Sequence, residues 1–335
     1  MSKPITSEML PPESLLEHEA VKAWSQLQPE RVEPEGIEIL RLKPKSAVYR
    51  LLGLGPNGSA VIAKKCWLET ARIERRIYEE LLPSVPVPTL QCYGCVENTD
   101  GDCCWLFLED AGAQLYSPLS PEHRAVAGRW LATVHTAFAQ LSPTNGLPER
   151  GASHYLALLR ASRGAALQHL DNPALPADDL VILKALASYC DVLEAHWREL
   201  EEICDRMPPN LVHGDFVIKN VRVRATPSGL VLLPFDWEFA GWGVPATDLA
   251  QFVGRTVSPD LSAYRSAVER SVGGLDGRDI QRLAECGTFF RLLDDIAWEI
   301  LCLAYQPYED LWGHMSCLKI YEPRMAKALQ AAKWL

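Results

Sequence analysis

The hydrophobic pattern of this chain changes once, near Glu109, from strand-like to helix-like. Before that point, short runs of β-branched and aliphatic residues alternate with turn signals. They predict strands at 38–42, 48–54, 59–66, 91–96 and 103–109 and a helix at 68–82. Beyond it, the pattern predicts helices at about 120–139, 153–170 and 176–206, a short β segment at 211–236, and mainly helix from there to the end. This order predicts a β-rich lobe followed by a mainly helical lobe.

The expected fold class is therefore α+β, and a length of 335 residues suits two lobes of one large fold. Residues 37–110 are expected to form an N-lobe with a five-stranded antiparallel sheet and one helix. Residues 111–335 are expected to form a helical C-lobe with a short β hairpin. Residues 1–36 form an N-terminal extension, with a helix expected near 12–27.

The net charge and the lack of long apolar runs exclude two kinds of partner, nucleic acids and membranes. The chain carries 33 Lys and Arg against 43 Asp and Glu, a net charge of −10, whereas a nucleic-acid binder needs a basic surface. We find no secretory signal and no apolar run that would span a membrane, so a cytoplasmic protein is expected.

The ten cysteines suggest buried thiols of a cytosolic protein. A zinc site at Cys92, Cys95, Cys103 and Cys104 is the alternative. It is disfavoured because adjacent residues of a strand, such as the last two, point to opposite faces.

The segment His213–Asn220, with the sequence HGDFVIKN, carries the clearest chemical signal. Phosphoryl transfer needs a carboxylate that orients or deprotonates the acceptor hydroxyl, and oxygen ligands for Mg²⁺. Asp215 can supply the first, and Asn220, five residues later, can supply a metal ligand. Asp236, which a short hairpin places after Asn220, can supply a second ligand. Together these residues predict a phosphotransferase.

The motifs resemble those of the aminoglycoside phosphotransferase/choline kinase-like superfamily of small-molecule kinases, over about residues 36–320. The resemblance implies a bilobal protein-kinase-like fold. It also implies ATP and Mg²⁺ as cofactors and transfer of the γ-phosphate to a small-molecule hydroxyl. By the resemblance, Asp215 is the catalytic base, Asn220 and Asp236 bind Mg²⁺, and His213 braces the catalytic loop.

Two further residues have support roles by the resemblance. Asp248, in the sequence PATDL, would hold the catalytic loop from below. His135, at the end of Leu131-Ala-Thr-Val-His135, would buttress the same loop. From the residues alone, a buried core histidine is an equal alternative for His135.

In the N-lobe, Val61-Ile-Ala-Lys64 resembles the kinase strand that ends in a phosphate-binding lysine. Strand alternation lets only one of Lys64 and Lys65 face the nucleotide. Lys64 is preferred because of the tetrapeptide resemblance, and Lys65 is the alternative. The resemblance places the partner of this lysine at Glu74, and a solvated helix face is the alternative for that residue. The adenine is expected to bind the backbone around Leu108, Glu109 and Ala111.

Two loops bear on phosphate binding. Gly53–Gly58 matches the pattern GxGxxG but leads from strand to strand, so we interpret it as a hairpin turn and not as a nucleotide loop. The expected phosphate loop, Lys43–Ala47, has no glycine, and Ser46 with nearby backbone N–H groups is its candidate for the β-phosphate. Lys219 either reaches a phosphate oxygen or faces solvent.

The acceptor is expected to be a small molecule, because only twelve residues separate Asp236 from Asp248. A protein kinase needs an activation segment at that place. The acceptor pocket is expected beside the catalytic loop and the C-terminal helices, with an acidic and aromatic lining that suits a cationic or sugar-like ligand. The candidates are Glu238, Trp242, Arg291, Asp294, Asp295, Trp298 and Glu299.

A catalytically silent kinase-like module that only binds nucleotide is the alternative function. The glycine-free phosphate loop motivates it. The presence of Lys64, Asp215, Asn220 and Asp236 in one chain favours the enzyme. The aminoglycoside, amino-sugar, choline-like and other metabolite hydroxyls all remain open as acceptors.

Overall fold

The computed structural model describes residues 8–11, 15–28, 33–43, 46–98, 101–138, 146–269, 276–303 and 311–335. The strands are β1 Glu8–Met9, β2 Gly36–Lys43, β3 Ser46–Leu52, β4 Val61–Trp67, β5 Cys92–Glu97, β6 Cys103–Glu109, β7 Glu149–Arg150, β8 Asn210–Val212, β9 Val221–Thr226, β10 Gly229–Pro234 and β11 Gly241–Gly243. The helices are α1 Glu19–Leu27, α2 Leu68–Arg76, α3 Pro121–Phe138, α4 Ala152–Gln168, α5 Ala177–Ala195, α6 Trp197–Cys204, α7 Leu261–Val268, α8 Gly277–Cys302 and α9 Leu311–Ala331.

The predicted fold class is confirmed: an antiparallel N-terminal sheet is followed by a helical region with a small sheet near the HGD segment. The chain divides into two compact units. The first contains 1–116 and 220–239, and the second contains 117–219 and 240–335. Parts of the predicted N-terminal extension (12–14 and 29–32) and of the predicted phosphate loop (44–45) lie outside the described residues.

The sheet of the first unit has six strands in the order β1-β2-β3-β4-β6-β5. The prediction of five strands missed β1, which pairs with β2 at the edge and is too short to show an alternating pattern. The Gly53–Gly58 segment is a strand-to-strand turn, as predicted. Asn57 and Gly58 adopt φ values of 57° and 76° there, a conformation that Asn and Gly tolerate best.

The two faces of this sheet are covered by different helices. On one face, α1 buries Trp24, whose ring lies 5.2 Å from that of Phe107, in a cluster with Ala63. On the other face, α2 packs Ala71 against Cys66 of β4. Because successive residues of β4 point to opposite faces, these two helices decide which residues of β4 meet α1 and which meet α2.

Two predicted helices are subdivided. The helix predicted at 68–82 is α-helical to Arg76 and continues as a π turn and a 3₁₀ turn to Ser84. The helix predicted at 176–206 is broken at His196, which separates α5 from α6. The ring of His196 stacks at 4.5 Å on Trp334 near the end of the chain, a tertiary contact that the local pattern does not encode.

The cysteine prediction is wrong for two residues. Cys95 of β5 and Cys104 of β6 form a disulfide, whereas Cys92 and Cys103 are free thiols. The two bonded residues lie on neighbouring strands, beside Cys66. Among the described residues, the side chains grouped closely enough to hold a metal ion do not include these cysteines.

The second unit is built around α8, which packs closely against the 3₁₀ turn 245–249. A Cβ atom at Gly287 would lie 1.8 Å from the carbonyl oxygen of Ala246, so this contact requires glycine. The rings of Tyr155 and Phe290 stack at 4.2 Å, and Thr247 donates a hydrogen bond of 2.9 Å to the Tyr155 hydroxyl. These contacts fix the turn that carries Asp248. None of the helices in the described ranges is long and apolar enough to cross a membrane.

Candidate active site

The first unit contains a buried lysine surrounded by three carboxylates. The ammonium of Lys64 on β4 contacts the carboxylates of Glu74 on α2 and of Asp236, and Glu238 lies 3.8 Å away. Lys64 is 5% exposed and Glu74 is fully buried. Glu74 therefore does not lie on a solvated helix face, the alternative that the sequence left open.

Strand alternation separates Lys64 from its neighbour. Lys65 points to the face that α1 covers, where its ammonium contacts Glu19 at 2.7 Å and lies 5.5 Å from the ring centre of Trp105. Of the two lysines, only Lys64 shares a face with Glu74. The position of α2 on that face, and not the sequence of β4, separates the two candidates.

Asp236 follows the β9–β10 hairpin. The hairpin is closed by a hydrogen bond of 2.9 Å that the Phe235 N–H donates to the Asn220 carbonyl. Asp236 has a φ of 68°, which is unfavourable for a residue with a Cβ atom. Such conformations persist where the surroundings hold them, and they cluster at functional sites. Here the conformation brings the carboxylate to Lys64.

The acidic groups around Lys64 form a set of oxygen donors. Burial alone would lower the pKa of Lys64, but Glu74, Asp236 and Glu238 outweigh it and raise the pKa, so the ammonium stays charged. Carboxylate oxygens of these three residues lie within 4.8 Å of one another. Hard oxygen donors suit Mg²⁺, so the residues present fit that ion. Glu238, predicted as an acceptor contact, lies with this group.

The face of the sheet that carries Lys64 also has partly buried apolar residues. Val48 is paired with Lys64 across β3 and β4, and Ile62 lies two residues earlier on β4. Ser46, at the start of β3, accepts a hydrogen bond of 3.0 Å from Arg41. Val48 and Ile62 were not singled out from the sequence, although their alternation with buried residues places them on this face.

Charged side chains hold the segment after β6 in place. Leu108 and Ala111 are 4% and 8% exposed. Arg224 of β9 contacts the Glu109 carboxylate at 2.6 Å and donates a hydrogen bond of 2.9 Å to the Asp110 carbonyl. The hairpin that leads to the metal-ligand candidate thus also fixes the predicted adenine-binding segment.

In the second unit, the Asp248 carboxylate organises the HGD segment. It accepts hydrogen bonds from the backbone N–H groups of His213 at 2.7 Å and Gly214 at 3.2 Å. His135 lies behind it, with Nε2 3.5 Å from Oδ2 of Asp248 and Nδ1 3.0 Å from the hydroxyl of Tyr264. His135 and Asp248 are both buried, so this support lies inside the core of the unit.

Asp215 is 7% exposed and faces two cations. Arg291 of α8 lies 2.9 Å from its Oδ1, and Lys219 lies 3.2 Å from its Oδ2. Burial alone would raise the pKa of Asp215, but Arg291 and Lys219 outweigh it and lower the pKa below its usual value. The carboxylate is therefore ionised at neutral pH.

The other acceptor candidates differ in their surroundings. Trp298 is 61% exposed on α8, whereas Trp242 is 7% exposed and packs edge-on at 6.5 Å against Phe138. Asp295 contacts the Arg291 guanidinium. Burial raises the pKa of Asp294 to about 7. Trp242 is therefore a core residue. On α8, Arg291 contacts Asp215, Trp298 is exposed, and Glu299 pairs with His314 of α9.

Sequence reasoning missed several partners of these residues. His314 of α9 contacts Glu299 at 2.6 Å, and Arg291 was not assigned to Asp215. The spacing of Arg291 and Asp295, four residues apart on a helix, is a signal that a sequence does contain. The other contacts join residues far apart in the chain and give no local signal.

The fold is shared with kinases of small molecules. One similar structure is the GDP complex of aminoglycoside 2'-phosphotransferase-IIIa, with 14% sequence identity and a TM-score of 0.61. The match covers 90% of this chain and 97% of that chain. Spectinomycin phosphotransferase APH(9)-Ia, in complex with ADP and spectinomycin, matches with 13% sequence identity and a TM-score of 0.62. The match covers 99% of this chain and 100% of that chain. Choline kinase from Cryptosporidium parvum Iowa II matches with 9% sequence identity and a TM-score of 0.60. The match covers 94% of this chain and 96% of that chain.

The sequence itself matches the model of the Phosphotransferase enzyme family over residues 62–286, and the chain belongs to that family. The superfamily indicated by the HGD and Asp236 motifs is thereby confirmed, as is the prediction of a phosphotransferase. No curated protein matches the chain.

Proposed function

We propose that this protein transfers the γ-phosphate of ATP, with Mg²⁺, to a hydroxyl group of a small molecule. The observation that carries the proposal is the buried contact of Lys64 with both Glu74 and Asp236 in the first unit. Phosphoryl transfer depends on positioning and on cations around the phosphates, and this arrangement provides a fixed cation beside oxygen ligands.

In the first unit, Lys64 would orient the α- and β-phosphates, and Glu74 would hold Lys64 in place. Asn220 and Asp236 would hold Mg²⁺, and Glu238 is a further oxygen ligand. Bound Mg²⁺ would neutralise the negative charge of the phosphates. The apolar residues on the Lys64 face, with the backbone at 108–111, would receive the adenine.

In the second unit, Asp215 would orient the acceptor hydroxyl and accept its proton. Its low pKa suits a reaction with a loose transition state, in which the base mainly positions the nucleophile. Asp248 and His135 would keep the loop in shape. The role requires an ionised Asp215, and the two cations that contact its carboxylate favour that form.

The acceptor would bind near Asp215, with Asp294, Asp295 and Trp298 as candidate contacts. An exposed tryptophan can stack on a sugar ring, and carboxylates can bind amine groups. Spectinomycin is bound in one of the similar structures, and a choline kinase is another, so amine-bearing alcohols are the first acceptors to test.

The test is ATP turnover with a panel of hydroxyl acceptors for the wild type, Asp215→Ala and Asp236→Ala. General-base catalysis contributes about 10²- to 10⁴-fold, so Asp215→Ala should lose at least about 100-fold. Asp236→Ala should also lose turnover, because it removes a proposed metal ligand. Asp191→Ala, which removes an exposed partner of Arg163, is the control and should retain activity. Acceptor-dependent turnover that survives either site substitution would refute the mechanism.

Calorimetry separates this enzyme from a silent nucleotide-binding module. For the enzyme, ATP should bind more weakly without Mg²⁺, and Asp236→Ala should remove most of that dependence on the metal. Metal-independent nucleotide binding, without turnover on any acceptor, would favour the silent module.

A further inference from the structure

The two oxygens of the Asp215 carboxylate have unlike partners. Oδ1 faces Arg291, whose side chain is 13% exposed, and Oδ2 faces Lys219, whose side chain is 56% exposed. A largely enclosed guanidinium with two carboxylate partners has little freedom, whereas an exposed lysine keeps more of its rotamers. One oxygen therefore faces a nearly enclosed cation and the other faces an exposed one.

Arg291 is itself held from three directions. Its Nη2 contacts Asp295 one helical turn later, and its Nη1 lies 3.4 Å from the Gly214 carbonyl as well as 2.9 Å from Asp215. The helix that carries it is fixed by the close contact of Gly287 with the 245–249 turn. The guanidinium thus connects a rigid helix to the HGD segment.

We propose that Arg291 is a positioning residue, which fixes Asp215 through Oδ1 and leaves Oδ2 to receive the proton of the acceptor hydroxyl. This inference rests on the proposed function. In the step, the O–H proton passes to Oδ2 and the acceptor oxygen bonds to the γ-phosphorus. The bond from the γ-phosphorus to the bridging oxygen of ATP breaks, and ADP leaves with that electron pair.

The geometry favours positioning over acceptor binding. The planar guanidinium offers donors in a fixed fork, and here Nη1 and Nη2 are directed to Asp215 and Asp295. Among the described residues, the charged or titratable groups near Asp215 also include Lys219 and His213 on its own segment and Asp294 on α8. Removing Arg291 would leave Oδ1 facing these groups without its fixed partner.

The experiment compares Arg291→Ala and Arg291→Lys with the wild type in steady-state kinetics. For Arg291→Ala, kcat should fall about 10- to 100-fold, while KM for the acceptor and nucleotide affinity stay within about threefold. Guanidinium chloride at millimolar concentration should restore part of kcat, and sodium chloride at the same ionic strength should not. Arg291→Lys, which keeps the charge but not the fork, should lose less and show the same pattern.

Two kinetic results would overturn the inference. One is an unchanged kcat in Arg291→Ala, and the other is a loss that appears only in KM for the acceptor. Lys219→Met tests the choice of oxygen, because it should cost at least about tenfold less in kcat than Arg291→Ala. An equal or larger loss of kcat in Lys219→Met would mean that Oδ2, and not Oδ1, is the oxygen that must be held in place. Arg163→Ala, which breaks an exposed ion pair on α4, is the matched control.

A readout without turnover separates this inference from the proposed function. The side-chain ¹⁵N–¹H resonances of Arg291 should shift in Asp215→Asn and stay in place in Asp191→Asn. Wild-type protein without turnover on any acceptor would refute the proposed function and the inference with it. Wild-type turnover with unshifted Arg291 resonances would refute the inference alone.

Discussion

The buried Lys64–Glu74 pair allows a stability effect to be separated from a functional one. Removing one partner of a buried ion pair costs about 3–5 kcal/mol, because the other charge is left without compensation. Lys64→Met would leave fully buried Glu74 beside two further carboxylates, so we expect a cost at the upper end of that range. Glu74→Ala should cost about 2–3 kcal/mol, since Lys64 keeps its contact with Asp236.

The double variant Lys64→Met/Glu74→Leu provides the decisive comparison. Replacing a whole buried pair with apolar residues is often nearly neutral, so the double variant should be more stable than Lys64→Met alone. Turnover, however, should be lost in Lys64→Met and should not return in the double variant, because Lys64 is proposed to bind the phosphates.

The assay is urea unfolding, with the free energy of unfolding compared at a constant m-value. Glu79→Ala is the matched control on the continuation of the same helix. Its carboxylate pairs with Arg75 at 2.8 Å in an exposed position, so its loss should cost less than about 0.5 kcal/mol. The reasoning fails if Lys64→Met costs no more than Glu79→Ala, or if the double variant is the least stable of all.

Three further predictions concern the second unit. Asp248→Ala should destabilise the protein by about 2–3 kcal/mol and lower kcat, because two buried N–H groups lose their acceptor. Urea unfolding and steady-state turnover measure the two effects, and an unaffected kcat would contradict the prediction. Gly287→Ala should cost about 1–3 kcal/mol in urea unfolding, since its Cβ would overlap Ala246, whereas Gly164→Ala on α4, with open space around it, should stabilise by up to about 1 kcal/mol. Burial raises the pKa of Asp294 to about 7, so the folded chain binds more protons than the unfolded chain above about pH 4, and stability from this group falls as the pH rises to about 7. Asp294→Asn should therefore gain about 1–3 kcal/mol at pH 8 and little at pH 4 in urea unfolding, and an equal gain at both would disprove the assignment.

Local signals were enough for most of the elements. Strand alternation and turn residues predicted β2 to β6, and helical periodicity predicted α3 and α4 to within two residues. Elements that depend on distant contacts were missed. The two-residue strand β1 exists only through its pairing with β2, and the helix break at His196 coincides with a ring stacked on Trp334.

The order of strands and helices, and the motif that carries Asp215, Asn220 and Asp236, could be read from the sequence. These follow from short-range periodicity and from residue types at fixed spacing. The pairing of Lys64 with Glu74 and Asp236, and of Asp215 with Arg291, was decided by tertiary structure. The Lys64–Glu74 and Asp215–Arg291 contacts each require a helix to cover a particular face, and Arg291 and Asp215 are separated by 76 residues along the chain. A side chain's neighbours depend on which element packs against it, and no local pattern specifies that.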